Sequence, residues 1–264
     1  MERVARLAMS GPLAAVTTTL FFLLLGFLFA PFFVVSSALV ALVSLRQGLK
    51  EAIKVAFCAL VLYYGFSVLA FNQNSSGLIF PIFMWFPLIL LSFPLRQSGN
   101  YQISFMLVAL LVSLYALLFR YAVGDLQGVW VNKVEAVVDI IAAEAALELS
   151  LAQIQYLSGQ IHIWWLILLE CTLILTLFLA RYWQSKLYNP LGFAEEFRKI
   201  QLSKSWLWFF LIVIGLNVIQ RSSGVELPVS GDLLAILLVL FSLQGLSVVH
   251  YRNKTQGLSV AWLV

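Results

Sequence analysis

The sequence predicts an all-α protein, a polytopic bundle of about eight transmembrane helices with a cytoplasmic N-terminus. Three observations carry that expectation. Hydrophobic residues make up 62% of the 264 positions, charged residues 11%, and the mean hydropathy is +0.98, whereas about a quarter of a soluble chain is charged. Polar breaks divide the chain into apolar runs close to the ~20 residues that cross a hydrocarbon core as a helix. The basic residues cluster in alternate breaks.

Taken in order, the runs cover residues 12–29, 32–45, 53–71, 77–94, 102–119, 163–180, 206–220 and 233–250. The start is basic and then apolar, like a secretory leader. Its apolar run is long, lacks a small-residue cleavage site and leads directly into a second run, so it reads as a retained first span. Only Ala30 and Pro31 separate the first two runs, which predicts a tight hairpin, or a short, tilted or re-entrant member. Eight spans leave little room for a soluble domain, so residues 1–264 are expected to form a single integral membrane domain.

Charge tests the count independently. With the N-terminus inside, the cytoplasmic segments collect Arg3, Arg6, Arg46, Lys50, Lys54, Arg96, Arg181, Lys186, Arg198, Lys199, Lys204, Arg252 and Lys254, 13 of the 16 basic residues. Arg120, Lys133 and Arg221 fall outside with the acids Asp125, Glu135, Asp139, Glu144, Glu148, Glu226 and Asp232. Trp164 and Trp165 are expected at the outer interface, and Trp183, Trp206 and Trp208 at the inner one. Topology thus accounts for the pI near 9.1. The basic residues form no stripe, and no nucleic-acid partner is expected.

Two connecting segments have patterns of their own. The outer segment 125–160 lacks Pro and Gly between 129 and 158 and reads as a bent or two-part helix, with Glu135 and Asp139 paired in spacing on one side and Glu144 and Glu148 on another. It is either a solvated lid or a gate. The inner segment carries an interfacial helix at about 190–200, with Asn189 as cap and Pro190 at the first helical position. Phe193, Phe197 and Ile200 share one face, and Glu195 and Lys199 pair on the other. This helix is either an anchor or a docking surface for a cytoplasmic partner, with Phe193, Phe197 and Arg198 as its contact residues. The apolar stretch Gly257–Val264 is too short to span alone.

Glu170 is the only acidic side chain inside an expected span. A mid-helix charge costs roughly 3 kcal/mol on insertion, and the eleven Leu, Ile and Phe residues of 163–180 return about 5 kcal/mol, so the helix inserts with it. An intramembrane carboxylate either marks a pathway or site, or is hydrogen-bonded to a neighbouring helix, with Asn217, Gln244 or a hydroxyl as candidate partners. Gln244, Ser247 and Tyr251 form a polar stripe beside Gly245, the pattern of a helix contact. His250 reads as interfacial, and Thr17, Thr18 and Thr19 can bond the preceding carbonyls. Cys58 and Cys171 are isolated and imply neither a disulfide nor a thiolate metal site. No Walker-type loop, HExxH, CxxC, GxSxG or paired-aspartate motif is present, so no cofactor, metal or enzymatic activity is expected. Halves with matching interrupted helices are absent too.

Three strings carry a resemblance: LRQGLKEA after the second run, ARYWQSKLYNPLGFAEEF after the sixth and QGLSVVHY closing the eighth. Together they resemble the YybS-like bacterial inner-membrane family, catalogued as a domain of unknown function, over residues 30–252. Leu191 stands where that pattern usually has Gly, and the family continues into a further C-terminal hydrophobic helix. The resemblance implies a bacterial cytoplasmic membrane protein. It also implies a helical arrangement similar to the substrate-binding subunits of energy-coupling-factor vitamin transporters, which work with separate ATPase and scaffold subunits.

The sequence therefore leads to a non-enzymatic membrane protein, embedded in the lipid bilayer, that binds or helps transport a small molecule. Its cavity is expected between the sixth and eighth spans, with Glu170, Gln244 and Asn217 as polar lining and transporter subunits as possible partners. The alternative is a structural or assembly protein of the cell envelope with no ligand.

Overall fold

A computed structural model describes residues 2–71, 78–145, 150–224 and 229–256. Among these every regular element is helical. The helices are α1 Glu2–Ala8, α2 Pro12–Gly26, α3 Pro31–Arg46, α4 Leu49–Phe71, α5 Ile79–Ser98, α6 Tyr101–Val123, α7 Leu126–Ala145, α8 Leu151–Tyr188, α9 Gly192–Phe197, α10 Lys204–Ser223 and α11 Ser230–Gln256. Six of them, α4, α5, α6, α8, α10 and α11, are long and apolar enough to cross a membrane. The chain is a multi-pass membrane protein. Its exposed surface agrees: Leu207, Trp208, Leu211, Ile212, Val218 and Ile219 of α10 are all exposed and Val213 is that helix's one buried residue. Water does not tolerate so continuous an apolar face.

The first two apolar runs form the shorter helices α2 and α3. They meet in a hairpin at Phe27–Ala30, where a Cβ on Gly26 would come within 2.2 Å of the Phe33 ring. The close approach requires a glycine. The 16 residues of α3 rise only about 24 Å, less than the ~30 Å of a hydrocarbon core.

The chain divides into two compact units. The first comprises residues 1–108, 172–201 and 243–264, and the second 109–171 and 202–242. In the first, α3 is central: Val35 through Leu45 are all buried, beside α2, α4 and α5. Small and β-branched side chains allow the neighbours close, and serines bond across the contacts. Ser36 Oγ donates to the Thr19 carbonyl at 2.8 Å, and Ser104 Oγ to Leu91 at 2.9 Å.

Several local expectations change. The sixth apolar run belongs to α8, 38 residues long and about 57 Å in rise, so part of the segment 125–160 continues that span, and α7 supplies Leu126–Ala145 of it. Ser150 and Gln153 set the start of α8, since Ser150 N donates to Gln153 Oε1 at 2.8 Å and Gln153 N to Ser150 Oγ at 3.3 Å. This is a capping box. At the other end α8 runs to Tyr188, so Asn189 and Pro190 form a turn and α9 begins at Gly192, behind Leu191 with φ 72°. Trp183, expected at an interface, is 1% exposed. A Cβ on Gly245 would meet nothing within 4 Å, so that glycine marks no close helix contact. The Glu144–Glu148 pairing, Glu226 and Gly257–Val264 lie outside the described residues.

Candidate functional site

The second unit contains a cavity of about 320 Å³. Its polar wall draws on Arg120 from the last turn of α6, Trp130 of α7, His162 of α8, Asn217 and Gln220 of α10, and Asp232 from the first turn of α11. The positions of the two charges follow from the helix macrodipole, which favours a cation at a C-terminal turn and an anion at an N-terminal one. They meet: Arg120 Nη2 donates to Asp232 Oδ2 at 2.9 Å, with the Asp232 side chain 5% exposed and that of Arg120 28%.

His162 stands beside this pair, its Nε2 3.6 Å from Asp232 Oδ2, beyond hydrogen-bond range. Its ring stacks on Phe119 with centroids 6.0 Å apart and lies 6.1 Å from Trp130. Neither nitrogen of His162 has a hydrogen-bond partner among the described residues, and neither does Arg120 Nε or Trp130 Nε1, although all four atoms are buried. Buried polar groups are ordinarily paired. Four such atoms in residues lining one cavity are the strongest feature of the chain.

Asn217 lines the same cavity, but its amide is committed: Nδ2 donates to the Val213 and Ser230 carbonyls, each at 2.9 Å. Ser230 Oγ in turn donates to Gln220 Oε1 at 2.7 Å. These bonds tie α10 to the start of α11 and shape the wall. Asn217 therefore does not serve as the partner of Glu170.

Glu170 is 0% exposed in the second unit, with no partner for either carboxyl oxygen among the described residues. It lies eight residues beyond His162 on α8, about 12 Å of rise, and is not part of the cavity wall. Gln244 belongs to the first unit. The contributions of α8 and α11 to the wall come from Ser158, Gly159, His162 and Ile163 and from Gly231 and Asp232, not from Glu170 or Gln244. His162 and Trp130 escaped the sequence reading; the readable signal was a rare histidine, one of 2, at the edge of an apolar run and four residues after Ser158.

The first unit gathers the three quoted strings around α9. Arg181 donates through Nε to Glu196 Oε2 at 2.8 Å and through Nη2 to Oε1, a forked ion pair of the geometry Arg favours with carboxylates. Gln184 Nε2 donates to Leu45 O at 3.3 Å, and the Arg46 guanidinium lies 4.2 Å from the Tyr188 ring centroid. Ser185 Oγ accepts from Phe193 N at 3.1 Å. Ser247 Oγ donates to Phe197 O at 2.7 Å, and His250 packs on the Phe197 ring at 5.2 Å. Phe197 is buried and meets Phe178 at 5.6 Å, while Phe193 meets Phe178 at 5.8 Å and Tyr182 at 6.0 Å. Phe197 is thus consumed by packing within its own unit and offers no docking surface. Phe193 and Arg198 are half-buried, and Glu195 and Lys199 are exposed. The ion pairs around α9 do not include the expected Glu195–Lys199 pair.

Comparison with protein-family models, with curated proteins and with solved structures returns no match for this chain.

Proposed function

We propose that this chain is a non-enzymatic protein of a bacterial cytoplasmic membrane that binds a small molecule in the cavity of its second unit. The observation that carries the reading is a concave site of about 320 Å³ with buried, unpartnered polar atoms on Arg120, Trp130 and His162. Ligand pockets start near this size, about 300 Å³, and combine an apolar wall with a few convergent polar groups.

In this proposal α4, α5, α6, α8, α10 and α11 span, α2 and α3 enter the membrane as a shorter hairpin, and the N-terminus is in the cytoplasm. The alternation of basic residues between successive breaks supports the orientation. Membership of the YybS-like family rests on the three strings, and their convergence around α9 supports treating them as one structural element. By analogy with energy-coupling-factor binding subunits, separate transporter subunits would supply the driving force. The rival reading, an envelope assembly protein without ligand, draws support from the amount of motif chemistry consumed by packing around Phe197.

Native mass spectrometry of the gently solubilised protein separates the two. A discrete bound small molecule, or a co-purifying ATPase pair, is expected from solute binding; recovery of envelope-assembly proteins with a bare chain mass would refute it.

A further inference from the structure

We propose that the first unit binds a phosphate group in a second, polar pocket, with Arg46 as its charged ligand. The inference is independent of the cavity in the second unit. The pocket encloses about 180 Å³, and its wall lies where two apolar helices turn polar. Arg46 sits in the last turn of α3, and Arg181, Gln184, Ser185 and Tyr188, at i, i+3, i+4 and i+7, share one face at the end of α8. The charged residues of the wall are two arginines and one glutamate. Arg181 is consumed by its forked pair with Glu196 and its bond to Gln184, so the surplus charge is that of Arg46. Arg46 is exposed and has no ion pair among the described residues. Its guanidinium carbon lies 4.2 Å from the Tyr188 ring centroid, a contact that holds the head group at the wall and leaves its N–H donors unbonded. Arg96, equally without an ion pair among the described residues, packs against the turn two positions past Arg46: a Cβ on Gly48 would come within 2.1 Å of its Nη1. A neutral acceptor would bond these donors but leave the charge uncompensated, whereas an anion does both. Among anions, phosphate fits the place and the shape. Its oxygens match the planar guanidinium fork, and basic pockets at the ends of membrane helices bind anionic head groups. The volume falls below the ~300 Å³ at which pockets for whole ligands begin, so the pocket takes a group of phosphate size and not a complete metabolite.

Calorimetry on the full chain in dodecyl maltoside micelles, a detergent without phosphate, tests the assignment. The probes are dioctanoyl phosphatidylglycerol, its phosphate-free analogue dioctanoylglycerol, and inorganic phosphate, each titrated into the wild type, Arg46→Gln and Asn189→Asp. Arg46→Gln removes the surplus charge from an exposed side chain. Asn189→Asp places a carboxylate of the same size in the wall, at an exposed side chain with no hydrogen bond among the described residues, and decides the matter alone should Arg46→Gln not fold by far-UV circular dichroism. Phosphatidylglycerol is expected to bind at least about tenfold more tightly than dioctanoylglycerol, and each variant to weaken that binding about fivefold. Inorganic phosphate binding that the variants weaken identifies a soluble source of the group; phosphatidylglycerol binding without it identifies the bilayer. The proposal is overturned if neither phosphate compound binds more tightly than dioctanoylglycerol, or if a folded variant leaves that binding unmoved.

Discussion

Leu191 is the one non-glycine among the described residues with positive φ, 72° with ψ −11°, and it turns the chain from α8 into α9. In this left-handed region a Cβ crowds the following carbonyl, at a cost of about 1–2 kcal/mol. The side chain is 76% exposed, so truncation forfeits only about a quarter of the ~2 kcal/mol that full burial of Leu contributes, ~0.5 kcal/mol. That loss is common to Leu191→Ala and Leu191→Gly. The glycine variant alone relieves the crowding, and the greater freedom of its unfolded chain takes back roughly 0.5–1 kcal/mol. Leu191→Gly is therefore expected to be more stable than Leu191→Ala by about 0.5–1 kcal/mol. At an ordinary helical position the order reverses, glycine being about 1 kcal/mol worse. Reversible unfolding in mixed dodecyl maltoside–SDS micelles, followed by far-UV circular dichroism, reads the difference. An alanine variant more stable than the glycine one would refute the left-handed turn. A glycine at this position is also what the resembled family pattern usually carries.

Other expectations follow from the same contacts. Glu196→Ala leaves Arg181 without its forked partner in surroundings where the two side chains are 15% and 17% exposed, and should cost about 3–5 kcal/mol; Arg181→Met with Glu196→Met should recover most of it, and additive losses in the double-mutant cycle would contradict the pairing. Ser247→Ala should cost about 1 kcal/mol by removing the 2.7 Å bond to Phe197 O, read in the same unfolding assay. Glu170→Leu replaces a buried carboxyl that has no partner among the described residues and should raise stability by about 1–3 kcal/mol; a fall would show that the carboxyl is bonded in the membrane. For the proposed topology, single cysteines at Lys133 and Lys199 in a background lacking Cys58 and Cys171 should label from outside intact cells and only after permeabilisation, respectively. The reverse pattern would invert the orientation.

The helical runs were legible because burial in lipid demands long apolar stretches, and six of the eight runs lie wholly within one helix, α3, α4, α6, α8, α10 or α11, while the runs 12–29 and 77–94 extend past the bounds of α2 and α5. Boundaries were less so. The start of α8 was readable in principle, since Ser150 and Gln153 have capping-box spacing. Its continuity through residues 151–162 escaped a hydropathy reading that looks only for the apolar part. Asn189–Pro190 gave a convincing start signal, but the chain instead uses them as a turn, with Leu191 in the left-handed region. The site was the least legible part. Arg120 and Asp232 are separated by 112 positions, and nothing local in the sequence reveals that two helix-end charges will pair beside a histidine. Glu170 drew attention because it is chemically exceptional where it sits, yet the cavity is built two turns away on the same helix.

Gly159 gives the most direct test of the cavity itself. It lies in the wall, and a Cβ there would meet nothing within 4 Å, so Gly159→Phe can fill space without displacing packed atoms. Native mass spectra of this variant and the wild type, released from nanodiscs under the same conditions, are the measurement to make. The account predicts a discrete bound small molecule on the wild type and a bare chain for Gly159→Phe at unchanged thermal stability. Equal ligand occupancy in both, or a bare wild type, would contradict it.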